Sequence, residues 1–311
     1  MFMTGFSAEW VVDSNSGHDA DFTQLSLALA DASVMNGDTI YVVGAGSTYT
    51  GFALDKAVHI FGPGVYLAQN PETQASKLSA RVDYINVRAG SSGATVSGLY
   101  IEELDIEENN VTFNRNRIWR IDADNASNIT LSGCFMLQNN NSYASLDLNN
   151  GSIFVYNTLI RNSGSNDAIR MQGTSVGEFY NCVLYSDVII QNAEFHNNIQ
   201  ISGTFSSSSS SVTHNIGQST QFGTSDNNQE NVDMNTVFVF SGSTDGYYQL
   251  AVGSPAIGAG IGSIDCGMFG GNSPYVLSCL PAIPAVYSAL GSASGSTATG
   301  LQINIKVKSH D

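Results

Sequence analysis

Basic residues are scarce in this chain. Eleven Lys and Arg stand against 27 Asp and Glu among 311 residues, a formal net charge of −16. So few cations cannot neutralise a row of phosphates, which argues against a nucleic-acid partner and against an anionic membrane surface. Long apolar runs are missing: no 18 apolar residues follow one another, so the sequence encodes no helical membrane span. Four cysteines are too few for a dense disulfide framework. The five histidines, His18, His59, His196, His214 and His310, show no metal-ligand spacing. Phosphate loops, zinc knuckles and a G-x-S-x-G elbow are absent as well. The sequence therefore points to no metal and no cofactor.

What the chain has in quantity is a recurring pattern within 94–218. It reads V-T-F-N-R-N-R-I at 111–118, I-T-L-S-G-C-F at 129–135 and I-F-V-Y-N-T-L at 153–159. It returns as V-G-E-F-Y-N-C-V at 176–183, E-F-H-N-N-I at 194–199 and V-T-H-N-I at 212–216, with a degenerate copy, V-S-G-L-Y-I, at 96–101. Apolar and polar residues alternate with the strand period of two. Recurrence at roughly 20 residues without helical periodicity is the signature of a β-solenoid. Each strand is too apolar on one side to stand alone, so successive coils must stack. Asn116, Asn157, Asn181, Asn197 and Asn215, with Gly98 and Gly133, mark the corner of each copy. Asn and Gly tolerate the left-handed backbone of a tight corner, and stacked Asn amides bond along a column. These asparagines are expected to form a structural ladder.

Cys134 and Cys182 each follow a corner residue, with Thr158 between them in the same column. Two coil spacings separate their Cα atoms by roughly 9–10 Å, beyond the reach of about 7 Å for a disulfide. Free thiols are expected there; Cys266 and Cys279 are left open.

Before the repeats, apolar residues at 22, 25, 29 and 32 have amphipathic helical spacing. They predict a helix over 21–34 with Asp21 as N-cap and Asn36-Gly37 at its end. The strand D-T-I-Y-V-V and the stretch K-A-V-H-I-F-G-P-G follow. This order closely resembles the entry of right-handed parallel β-helix proteins with the pectin-lyase-like fold. At the other end, G-S-P-A-I-G-A-G and I-D-C-G-M-F-G-G-N-S-P-Y-V-L resemble the closing coil of secreted β-helix proteins of the kind common in Bacteroidota. The resemblance implies an all-β, right-handed parallel β-helix with a short N-terminal capping α-helix. The expected organisation is 1–9 as a disordered stretch or leader remnant and 10–280 as the β-helix domain, with regular coils at 94–218 and a closing coil at 248–280. Residues 281–311 form a Pro/Ser/Gly linker and a last strand. The resemblance carries no activity.

Two coils carry insertions at similar points, 138–150 and 161–175, expected on the same flank. Such insertions often build the binding face of a solenoid. These would bring together Tyr143, Asp147, Arg161, Asp167 and Arg170 as candidate ligands for a polysaccharide or cell-surface glycan. The acidic stretch I-E-E-L-D-I-E-E-N at 101–109 reads as a solvated outer strand, with Glu103, Asp105 and Glu107 on one face and Glu102 and Glu108 on the other. Arg115, Arg117 and Arg120 read as solvent-facing. His196 and His214, each before an asparagine, are expected to stack in one outward column. The six-serine run at 206–211 reads as a loop, and 237–240 and 247–252 as strands. The carboxylate motifs of glycosidases with this fold, a D-D pair and a G-H-G, are absent.

The expected function is that of a secreted or cell-surface protein with a structural, adhesive or glycan-binding role. It would be extracellular and could self-assemble through residues 301–308, from Leu301 to Lys308, whose apolar alternation marks a strand needing a sheet edge. The alternative is a polysaccharide lyase or glycoside hydrolase working beside the two insertions.

Overall fold

The computed structural model describes residues 7–17, 19–292, 294–298 and 300–309. Residues 1–6, within the leader-remnant segment, and His18 and His310 lie outside them. Among the described residues the regular structure is nearly all strand, arranged in a ten-stranded and a thirteen-stranded sheet and a two-stranded hairpin. Every pairing in the two large sheets is parallel, as between Ile129–Ser132 and Ser152–Tyr156 or between Phe135–Gln138 and Leu159–Asn162. The chain visits one sheet, turns a corner, visits the other and returns one strand further along. The outcome is an all-β, solenoid-like stack of parallel strands.

Three strands, Arg81–Val87, Tyr100–Ile106 and Arg117–Asp124, cross the whole thirteen-stranded sheet. Beyond them each rung is divided in two: Phe135–Gln138 and Leu146–Asn149 both pair with Arg117–Asp124. The insertions leave from that division. In the ten-stranded sheet Val96, Phe113, Leu131, Val155, Phe179 and Phe195 stand in register and fill the interior. Burying each such side chain contributes about 1.5–3 kcal/mol.

Every strand of the ten-stranded sheet from Thr95–Ser97 to Ser211–Thr213 is followed directly by a residue with positive φ. These are Gly98, Arg115, Gly133, Asn157, Asn181, Asn197 and His214, with φ between 48° and 74°. Asn157, Asn181 and Asn197 therefore stand one above another. Asn116 and Asn215 do not join them. Arg115 and His214 occupy the left-handed corners, so Asn116 and Asn215 fall one residue later, in an inward-facing row with Cys134, Thr158, Cys182 and Asn198.

That inner row carries the hydrogen-bonded ladder. Asn116, Asn198, Asn215 and Asn228 donate their amides to the carbonyls of Val96, Phe179, Phe195 and Val212 at 2.8–2.9 Å. Their Oδ1 atoms accept from the backbone N–H groups of Leu99, Cys182, Asn198 and Asn215 at 2.8–2.9 Å. Where cysteine replaces asparagine, the thiol takes over the donation: Cys134 Sγ reaches Phe113 O at 3.3 Å and Cys182 Sγ reaches Val155 O at 3.5 Å. Burial pushes both thiols up to about 12. All four cysteines are free and buried; Cys266 and Cys279 do not pair.

The outer corner asparagines have a different task. Asn197 Oδ1 accepts from Ile261 N, Asn181 Nδ2 donates to Asp265 O, and Asn157 Nδ2 donates to Met268 O and Gly270 O. Further back, Arg115 Nη1 donates to Leu280 O at 3.0 Å and Val65 N to Ser278 O at 2.7 Å. Residues 261–280 thus run back along the corner as a strap and do not close the end of the stack. Asp245, fully buried, anchors the strap by accepting from Tyr275 Oη, Ser278 N, Asn70 Nδ2 and Gly246 N. Beside it, Met234, Val237, Phe238, Tyr248 and Tyr275 cover the outward Phe135, Leu159, Val183 and Ile199.

Other expectations are corrected locally. The first helix is only Leu25–Ala30, and Asp21 accepts from Val11 N and does not cap it. Its Leu25, Ala28 and Leu29 join the main core. Of the serine run, 206–208 and 211 lie in the strands Phe205–Ser208 and Ser211–Thr213, because pairing with the preceding rung satisfies their backbone whatever the side chains. Only Ser209 and Ser210 form the turn between them. Residues 234–237 form a helical turn and 246–248 a 3-10 turn in place of strands. The strand Ile303–Lys308 folds back on Ala285–Gly291 of its own chain, antiparallel.

The inner ladder makes a stability prediction. Asn215→Ala strands a buried carbonyl and a buried N–H, and should cost about 3 kcal/mol in urea denaturation. Asn198→Cys keeps the donation seen at Cys134 and Cys182, and should cost less than half as much. Equal losses would contradict the assignment.

Candidate functional site

The divided sheet presents an outward ledge next to the insertions. Its central row runs Asn86, Asp105, Asp122, Asp147, Arg170 and Ile189, one residue per strand. Alternation along each strand turns this row outward while Leu104, Ile106, Ile121, Ala123, Leu146 and Leu148 turn inward. Three aspartates on consecutive strands, about 4.8 Å apart, repel one another. The surrounding charges limit that repulsion. Arg170 pairs with Asp147, and Gln172 Nε2 donates to Asp147 Oδ1 at 3.0 Å. Arg120 bridges Glu103 and Asp122. Around Glu103, Asp105, Glu107, Arg120, Asp122 and Asp124 the surface sinks into a hollow of about 250 Å³.

Asp105 has no bond to an arginine. Burial first, then the neighbouring Glu103, raises its carboxyl above the ordinary carboxylate value. Asp167 is raised for the same leading reason, burial, although Arg170 opposes it. In the 138–150 insertion Tyr143 lays its ring 4.4 Å from the Arg120 guanidinium, a cation–π contact that ties the loop to the ledge. Asn162 Nδ2 donates to Tyr143 O and Asp167 O, joining both insertions.

The structure brings Tyr143, Asp147, Asp167 and Arg170 to one flank. Arg161 is placed elsewhere. It lies outward on the strand Leu159–Asn162, opposite Leu137 and Tyr185. Its guanidinium sits 4.7 Å from the Tyr185 ring and 3.5 Å from Tyr248 Oη. The arginines read as solvent-facing are also engaged: Arg117 covers the Tyr100 ring at 3.9 Å. Asp105, Arg120 and Asp122 belong to the ledge but were not among the sequence candidates. Their signal was a shared spacing of 17, from Glu103 to Arg120 and from Asp105 to Asp122, which marks neighbouring positions only once the register is known. Glu102 and Glu103 both turn outward, because the strand bends between its two halves and Ile101 and Leu104 point in.

His196 stacks on Tyr180 at 3.7 Å, and Tyr180 lies 5.4 Å from Tyr156. The next position in that row is Thr213, not His214, which takes the corner. Among the described residues no group of His, Cys, Asp and Glu is arranged to hold a metal ion, and no helix is long and apolar enough to cross a membrane. Comparison with protein-family models and with curated proteins finds no match.

The raised Asp105 has a testable consequence. The folded state holds that proton more tightly than the unfolded chain. The group therefore favours folding below the ordinary aspartate value and loses that contribution as pH rises through its raised folded value. Asp105→Asn should raise the Tm at pH 7 by a few degrees and leave it unchanged near pH 3. A lower Tm at pH 7 would contradict the ledge electrostatics.

Proposed function

We propose that this chain is a right-handed parallel β-helix protein of the pectin-lyase-like kind, secreted or displayed at the cell surface, that holds a glycan on the ledge. The observation that supports this reading is the juxtaposition of Tyr143 with Asp122, Asp147 and Arg170 on adjoining strands beside a hollow of about 250 Å³. Aromatic faces and fixed carboxylates are what sugar rings and hydroxyls need. Rigid strands hold the row, so little ordering cost falls on binding. A surface rich in Ser, Asn and Thr with only 11 basic residues suits an extracellular setting. Glycan-array binding lost in Tyr143→Ala and Asp147→Ala, with unchanged melting, is the expected result. Undiminished binding in both variants would refute the ledge.

A second reading is favoured by Asp105. A carboxyl whose hold on its proton is strengthened by burial and by Glu103, next to Asp122, which is paired with Arg120, suits a general acid beside a carboxylate. One strand spacing, about 4.8 Å, is near the separation of about 5–5.5 Å in retaining glycosidases. A hydrolase fits better than a lyase, because Arg120 and Arg170 already pair with carboxylates and leave nothing to neutralise a uronate. This reading predicts reducing ends from a polysaccharide, abolished in Asp105→Asn. Activity should fall as pH rises past the raised carboxyl value, since the acid must hold its proton. Activity unaffected by Asp105→Asn would eliminate it.

Self-association through 301–308 belongs to the same proposal. The strand Ile303–Lys308 pairs on one edge only, and Ile303, Ile305 and Val307 are each more than half exposed. The hairpin is fastened to the rest of the chain by Ala75 N donating to Val286 O and by Lys308 pairing with Glu72, and a two-stranded hairpin by itself is marginal in water. Light scattering should show smaller species after deletion of 301–311; identical masses would exclude assembly through this strand.

A further inference from the structure

A second groove lies on the outer face of the ten-stranded sheet, away from the ledge. Two cavities of about 470 and 340 Å³ share Ser132 and Ser273 in their walls, so they continue one another along the stack. The sheet supplies one wall. Its outward row runs Tyr41, Phe61, Ser97, Asn114, Ser132, Tyr156, Tyr180 and His196, one residue per strand. Aromatic rings thus stand at both ends of a polar trough three strands wide. The strap supplies the other wall, including Ile261, Ile264 and Pro274.

Nothing in the stacking of coils requires this pattern, because outward positions of a solenoid do not fill its core. From Phe61 to Tyr156 is four strand spacings, about 19 Å, a length suited to a chain of several rings and not to a compact cofactor. The neighbouring outward row adds the hydroxyls of Thr95, Thr112 and Thr130. The groove's charges are unsuited to an anion: Arg115 is bound to the strap, and Glu178 and Glu194 lie beside Tyr180 and His196. An extended peptide is disfavoured as well. Strand addition needs an open sheet edge, and the floor here is a sheet face whose backbone is paired on both sides.

We propose that this groove binds an uncharged polysaccharide, with sugar C–H faces on Phe61 and Tyr156 and hydroxyls on the Ser97–Asn114–Ser132 trough. The site uses no residue of the ledge and goes beyond the function proposed for it.

Affinity electrophoresis tests the proposal on the intact chain with galactomannan, mixed-linkage β-glucan and arabinoxylan as neutral probes and polygalacturonate and alginate as charged ones. At least one neutral polymer should retard the protein, and neither charged polymer should. Ser132→Trp fills the trough without removing a contact and should abolish retardation. Tyr156→Ala should weaken it about tenfold, with both variants melting as the parent does. Three outcomes would overturn the groove: no neutral polymer retards the protein, retardation survives Ser132→Trp in a folded variant, or retardation is lost in Tyr143→Ala and kept in Ser132→Trp, which assigns binding to the ledge.

Discussion

The structure depends on satisfying backbone groups at the corner between the two large sheets. Strands in a parallel stack hydrogen-bond to the rungs above and below them, but at a tight turn that pairing is interrupted inside the protein. An unpaired buried N–H or C=O costs about 1–3 kcal/mol, and the stack repeats the problem at each rung. The side chains of Asn116, Asn198, Asn215 and Asn228 solve it by accepting from one backbone N–H and donating to one carbonyl. Cys134 and Cys182 supply the donor where asparagine is missing, while Thr158 Oγ1 accepts from Cys134 N. Cysteine, usually discussed for its reactivity, acts here as a buried hydrogen-bond donor.

Two adjacent positions at each corner therefore make different demands. The outer one needs a left-handed backbone, and the inner one needs a side chain that reaches the neighbouring rung. Asparagine meets both demands, so an alignment of asparagines merges two rows into one. Asn157, Asn181 and Asn197 occupy the outer row, whereas Asn116 and Asn215 occupy the inner one behind Arg115 and His214. The stacking itself was legible because alternation and recurrence are local. The one-residue offset was not, since Arg and His take positive φ there only under the constraint of the neighbouring rungs.

The same distinction governs the surface. Insertion lengths brought Tyr143, Asp147, Asp167 and Arg170 to a common flank, because loops leaving the same division of successive rungs lie side by side. Arg161 separated from them because its strand precedes that division. Asp105 reads as one charge of a solvated outer strand, and only the register reveals that it stands in one row with Asp122 and Asp147. The groove under the strap was invisible in sequence for a simpler reason. Its walls come from Phe61 to His196 on one side and from residues 261–274 on the other, and nothing local joins them.

The strap links these levels. Outer-row amides bind its carbonyls, Asp245 gathers its end, and its apolar side chains cover the outward Phe135, Leu159 and Val183. A corner row that fixes the coil thereby also positions one wall of a groove. The most direct measurement of the central claim is native-state hydrogen exchange at the amides of Leu99, Cys182, Asn198 and Asn215. If side chains of the next rung hold these groups, they exchange as slowly as strand-centre amides such as Val155 and Phe179. Exchange at the rate of exposed loop amides would contradict it.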